Sequence, residues 1–227
     1  MRIVEVFFNW PIFVESFYVL MLGLGLTIQL GLASIALGTI GGLGIALVRL
    51  YAPPLFQKAA IAYIDAMRAM PLLVLLVLIY YTLPFIEIRL SAFVSATLAI
   101  SLVSCAYTAE IYRSGIEAIP HGQFEASKSL GLTYWQMMGD VILPQAFRIV
   151  IPPLTNNAIA VMKDTALASV VAMPDLLKQA TQAQAVAANP TPLIGAAVFY
   201  LILLLPMVRL VNVLENRFAI GGKRGGV

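Results

Sequence analysis

Lys163-Asp164-Thr165 sets two opposite charges side by side in an otherwise apolar run, VMKDTALASVV. On a membrane helix they lie about 17 Å from Pro152, close to the bilayer midplane. Ionised groups there cost at least about 2.5 kcal/mol each on insertion scales, so they face a cavity or a partner charge. Consecutive residues point about 100° apart, so Lys163 and Asp164 are poorly placed to neutralise each other. Asn156, Ala160, Asp164 and Ala168 recur every fourth residue with Asn157 beside them, giving one polar, sterically open face. A zwitterionic amino acid suits that face, offering an ammonium to Asp164 and a carboxylate to a cation. The plainer reading pairs each charge with another helix or subunit. Ser101, Cys105, Thr108 and Tyr112 share one face of an earlier apolar segment. Hydroxyls on membrane helices mostly bond to neighbouring helices, and lining a substrate path is the other role open to Ser101 and Thr108.

Other chemistries have no footing. One cysteine, Cys105 inside an apolar run, and one histidine, His121 in a loop, give no disulfide framework, no metal set and no nucleophile-base pair. There is no G-x-x-x-x-G-K-[ST] loop, so any nucleotide chemistry belongs to a partner, and no cofactor is expected in this chain. A net charge of +3 is too small to point to nucleic acid.

The elements that must position these residues are membrane helices. The chain has 227 residues, 61% hydrophobic and 11% charged, with a mean hydropathy of +0.93, a composition far outside the soluble globular range. Its fold class reads as an all-α integral membrane protein of five spans, at about 17–48, 58–83, 90–112, 154–171 and 192–213. Residues 1–16 precede them as an extracytoplasmic segment that lacks a cleavage site, and 216–227 follow as a basic tail. The first span is nearly uncharged and about 48 Å long as helix against roughly 30 Å of hydrocarbon, so it tilts or protrudes. Gly38, Gly42 and Ala46 give it a small-residue stripe for close helix contact. Asp65 and Arg68 can pair before a kink at Pro71, and Glu110, Arg113 and Glu117 can form a charge ladder. Pro152-Pro153 is expected to break the chain at the membrane edge, and Met173 to Thr191 reads as a loop.

Gly122 to Pro144, GQFEASKSLGLTYWQMMGDVILP, is a polar, helix-favouring island between apolar segments. Pro120 closes the preceding helix, Gln123 to Leu130 contains the good helix formers Glu125, Ala126, Lys128 and Leu130, and Gly131 supplies the stop. A helix of about 9 residues is marginal alone and needs a surface to pack on.

Glu125-Ala126-Ser127, then Gly131, then Val141-Ile142-Leu143-Pro144 resemble the EAA loop of importer permeases of the ATP-binding cassette (ABC) family. YIDAMRAMPLLVLLVLIYYTLP and VMKDTALASV are similar to segments of histidine, arginine, glutamine and opine permeases, and the likeness runs from about Leu22 to Glu215. It implies the type I importer permease fold, with Gln123, Phe124, Glu125, Ala126, Ser127, Gly131, Leu143 and Pro144 coupling to an ATPase. It also implies a place near the transport path for Asp164, Lys163, Thr165, Asn156 and Asn157. The implied partners are an ABC ATPase dimer that uses ATP and Mg, a second permease subunit (the same chain or a related one), an extracytoplasmic substrate-binding protein and the bilayer. The implied location is a bacterial cytoplasmic (inner) membrane.

If the EAA loop is inside, so are Arg49, Lys58, Arg68, Arg113, Lys128, Arg148, Arg209, Arg217, Lys223 and Arg224, leaving Arg2, Arg89 and Lys178 outside. The positive-inside rule then gives N-terminus out, C-terminus cytoplasmic. The expected function is the transmembrane subunit of an ATP-driven importer of a polar amino acid or opine, with no enzymatic activity of its own. An ion-coupled secondary carrier would also explain a midplane carboxylate, but the short chain and the absence of a repeat oppose it.

Overall fold

The computed structural model describes residues 6–218, so Arg2, Lys223 and Arg224 lie outside the described residues. Among the described residues the chain is helical, without a strand. Asn9 caps α1 (Trp10–Tyr51, 42 residues), its side chain accepting from the Ile12 amide at 3.3 Å. The helix therefore starts earlier than the expected first span and stops at Ala52, whose extended backbone precedes Pro53-Pro54.

Pro54 opens α2 (Pro54–Ala69), and Met70 is forced extended by Pro71. The chain resumes as α3 (Leu72–Val77), a π-helical turn (Leu78–Thr82) and a 3-10 turn (Leu83–Ile86). The two parts are bent by 101°, so the expected kink is a sharp corner and Lys58 to Leu83 is no continuous rod. Asp65 and Arg68 do not pair. The Arg68 guanidinium instead sits 5.6 Å from the Tyr107 ring centroid, an exposed aromatic face on the neighbouring helix.

Ser91 caps α4 (Ala92–Glu117) by accepting from the Val94 amide. α4 lies along α1 in the most extensive helix contact among the described residues, and the expected small-residue stripe is the reason. A Cβ on Gly38 would sit 2.4 Å from Ser104 Oγ, and one on Gly42 would meet Thr108 Oγ1 at 1.8 Å and the Cys105 carbonyl at 2.8 Å.

After the polar island comes α6 (Leu143–Asp164), preceded by α5 (His121–Ser129) and a π-helical turn (Met137–Ile142). Pro152 and Pro153 lie inside α6, against the expected break. Packing holds the helix on either side of them: Val150 fills the space over Gly115, and Met162 fills that over Gly31, where added Cβ atoms would sit 2.1 and 1.9 Å away. Beyond Asp164 the α-helix tightens into a seven-residue 3-10 stretch (Thr165–Val171), so the expected fourth span is not one regular helix.

Met173 to Thr191, expected as a loop, contains α7 (Leu176–Ala187). The Asp175 carboxylate caps it by accepting from the Leu177 and Lys178 amides, and Leu176 and Ala180 are buried with Leu20 and Ala196. α8 (Thr191–Phe218) closes the bundle against α1, α6 and α7. By length and composition α1, α4 and α8 can each cross a membrane, and the bent pair makes a fourth if it is one span.

Candidate functional site

Two regions hold the residues singled out by type and spacing. The first is the polar island. Pro120 starts α5, and the helix ends as sequence chemistry demands: Gly131 has φ of 73°, its amide donates to the Lys128 carbonyl, and the Leu132 amide reaches back to the Ser127 carbonyl at 3.2 Å. These two bonds satisfy the last carbonyls of the helix in a Schellman arrangement. Thr133 and Gln136 then form a capping box that starts the next turn.

α5 is held by one face and free on the other. Ser127 is buried with its hydroxyl donating to the Gln123 carbonyl, and Phe124 packs on Ile119, Met137, Met138 and Ile142. Gln145 Nε2 lies 3.4 Å from Gln123 Oε1 and donates to the Val141 carbonyl at 2.8 Å, a polar tie from α6 to α5. Gln123, Glu125, Ala126 and Lys128 stay exposed, as do Leu130 (79%) and Trp135 (81%). This face of α5 is therefore uncovered among the described residues. Leu143 and Pro144 open α6 and are also exposed. The island thus stands on the root of a 22-residue helix, a rod of about 33 Å reaching from α5 to Asp164.

Above α5, Glu110 bridges Arg49 and Arg113, and Arg113 also grips Glu117. The expected ladder therefore extends to α1, a link the sequence spacing did not disclose because Arg49 and Glu110 are 61 residues apart.

The second region is the far end of α6. Lys163 is exposed, Asp164 is half-buried where α-helix turns into 3-10, and neither joins an ion pair among the described residues. Thr165 is buried, its hydroxyl donating to the Met162 carbonyl at 2.7 Å. Asn157 Nδ2 donates to Ser104 Oγ at 3.0 Å, while Asn156, two turns before Asp164, faces Glu215 Oε1 of α8 at 3.5 Å. Thr108 is buried in the α1–α4 contact with its hydroxyl against the Gly38 carbonyl, and Ser101 is buried with no hydrogen-bond partner among the described residues. Asn156, Asn157 and Asp164 are brought onto one helix, whereas Ser101 and Thr108 sit in packed helix contacts.

Two participants escaped sequence reasoning. Tyr200 of α8 sets its buried hydroxyl beside Thr27 and Thr165, and Glu215 takes up the end of the Asn156 stripe. Tyr200 lies inside an apolar run, and Glu215 stands among Asn212, Asn216 and Arg217 just after it, so neither was distinguished by type or spacing.

A family profile described as binding-protein-dependent transport system inner membrane component matches residues 38–220. The chain is 42% identical over 176 residues to the probable amino-acid ABC transporter permease protein YckA of Bacillus subtilis, covering 78% of each. It is 34% identical over 218 residues to the probable glutamine ABC transporter permease protein GlnM of the same organism, covering 96% of this chain and 98% of the relative. A crystal structure of an amino acid ABC transporter with histidines matches with a TM-score of 0.87 at 35% identity, over 92% of this chain and 98% of that one. This chain therefore belongs to the family of inner membrane components of binding-protein-dependent transport systems.

Proposed function

We propose that this permease subunit moves a polar amino acid, or an opine, across a bacterial cytoplasmic membrane by alternating access driven by a separate ABC ATPase dimer. Amino-acid ABC permeases among its relatives support the substrate class, and membership of the family sets aside an ion-coupled carrier. The observation that carries the coupling is α5: capped at its end, fixed by Phe124 and Gln145 to the base of α6, and exposed along Glu125, Ala126, Lys128 and Leu130. ATP binding closes the ATPases, α5 moves with them, and the rod of α6 carries that motion to Lys163 and Asp164.

In the same reading Asp164 accepts the substrate's ammonium or a basic side chain, Lys163 or another cation faces its carboxylate, and Asn156, Asn157 and Thr165 border the route. Ser101 and Thr108 keep the helices of that route in register. A second permease subunit and an extracytoplasmic binding protein complete the transporter. The five-span topology, N-terminus out and C-terminus cytoplasmic, rests on the distribution of Lys and Arg.

Purification in mild detergent, with identification of attached subunits, tests the assembly: an ATP-binding cassette subunit and a permease partner are expected. The topology has its own measurement. In a Cys105→Ala background an impermeant thiol reagent should reach Val186→Cys from outside and Ser129→Cys only from inside, both positions being exposed. The opposite labelling sinks the five-span, N-out arrangement.

A further inference from the structure

Arg148 and Glu215 share a cavity. It measures about 560 Å³ and lies among the end of α4, the start of α5, the first half of α6 and the end of α8. That is within the range of small-molecule sites, about 300–1,000 Å³. Gln123, Gln145, Arg148 and Glu215 supply its polar lining, and Pro152 and Phe218 are among its apolar walls. Arg148 and Glu215 carry opposite charges on different helices, both are exposed, and they form no ion pair with each other.

The cavity has a definite place in the molecule. Asn156 donates to Glu215 Oε1 at 3.5 Å, so the cavity sits at the coupling-helix end of the Asn156–Asp164 stripe. Gln145 Nε2 lies 3.4 Å from Gln123 Oε1, so an occupant touching Gln145 is one hydrogen bond from α5.

We propose that this cavity is a product-side site for a free amino acid, Arg148 holding the α-carboxylate and Glu215 the α-ammonium, through which accumulated product slows the transporter. The proposal rests on the amino-acid reading above and deepens it. A guanidinium binds a carboxylate through paired N–H donors. The carboxylate of Glu215, held by Asn156 through one oxygen, has lone pairs left for an ammonium. A bare anion such as phosphate gains from Arg148 but is opposed by Glu215, so a zwitterion fits the pair better. A molecule spanning Arg148 and Glu215 ties α6 to α8 beside α5 and favours whichever conformation brings them to that separation. Differential affinity for one conformation is enough to slow a cycle that must leave it.

The test uses the complete transporter in proteoliposomes, with ATP inside and the binding protein outside. Labelled L-glutamine, L-arginine, L-glutamate and L-cystine are each offered in turn, and the lumen is preloaded with the same unlabelled amino acid or with inorganic phosphate. Initial uptake is read against the internal concentration. Internal amino acid should slow uptake, and the half-inhibitory concentration should rise at least about tenfold in Arg148→Gln and in Glu215→Gln. Internal phosphate should have no effect. Equal inhibition in the wild type and both variants, no inhibition in the wild type, or inhibition by phosphate alone overturns the site. Uptake of none of the four amino acids overturns the amino-acid reading and the site with it, whereas uptake with unshifted inhibition removes the site alone. If a variant does not assemble, modification of Arg148 by phenylglyoxal in the wild-type complex decides. Protection by the transported amino acid supports the proposal, and unchanged modification rejects it.

Discussion

The two ends of α6 are built by opposite means. At its root, around α5, every turn is closed by neighbours in sequence: Pro120 starts the helix, Gly131 and Leu132 finish it, and Thr133 with Gln136 begins the next. At its far end, Lys163 and Asp164 have no local partner, and the backbone departs from α-helix just past them. A surface that must seat a separate protein benefits from a shape fixed before contact. The other end runs into seven residues of 3-10 helix, longer than such runs usually last, held by the buried Thr165, Ala168 and Val171. In the function proposed above, α5 is the grip of a lever and the Lys163–Asp164 end of α6 is its working end.

The largest effect should come from breaking the α1–α4 contact, against which both ends of α6 are set, since α6 packs on both of these helices. Gly42→Val drives a side chain into Thr108 and the Cys105 backbone carbonyl, so α1 and α4 must separate. A loss near 3 kcal/mol is expected, on the order of a severe overpacking, and should appear as a sharp drop in the yield and melting temperature of the assembled transporter. Full stability in Gly42→Val would mean that the α1–α4 contact is far looser than the geometry states.

The working end comes next. Asp164→Asn keeps volume and most hydrogen-bonding capacity but removes the charge, so uptake and substrate stimulation of the ATPase should fall about tenfold or more while assembly holds. If Asp164 is instead held by a charge on another helix or subunit, the same variant should lose thermal stability or subunit yield. A stable complex with unchanged transport excludes both roles.

The smallest effect belongs to the grip. Gly131→Val meets no neighbour within 4 Å of the new Cβ, so its cost is conformational only, roughly 1–2 kcal/mol for a β-branched residue at positive φ. Insertion should be normal, and hydrolysis coupled to transport should fall as the end of α5 shifts. Gly131→Asn, which tolerates left-handed backbone, should restore most of the coupling. Equal coupling in Gly131→Val and the wild type would remove the claim that the cap sets the grip.

Residue types alone set the features that neighbours in the chain decide. Pro120, Gly131 and the Thr133–Gln136 box act within a few residues, so the polar island and its helix were legible from residue types alone. The Gly38–Gly42–Ala46 stripe announced a close helix contact, because only missing side chains allow backbones so near in lipid. Asp175 ahead of Leu176-Leu177-Lys178 is also a local helix start, but Pro174 and the Asn189-Pro190 pair bracket it with loop signals that outweigh a single cap. Tertiary structure alone decided the rest. Pro152 and Pro153 stay inside α6 because Val150 finds Gly115 and Met162 finds Gly31, contacts between residues far apart in the chain. The same holds for Arg49 meeting Glu110 and Glu215 meeting Asn156: spacing along one helix names a face, and only packing names what lies opposite it.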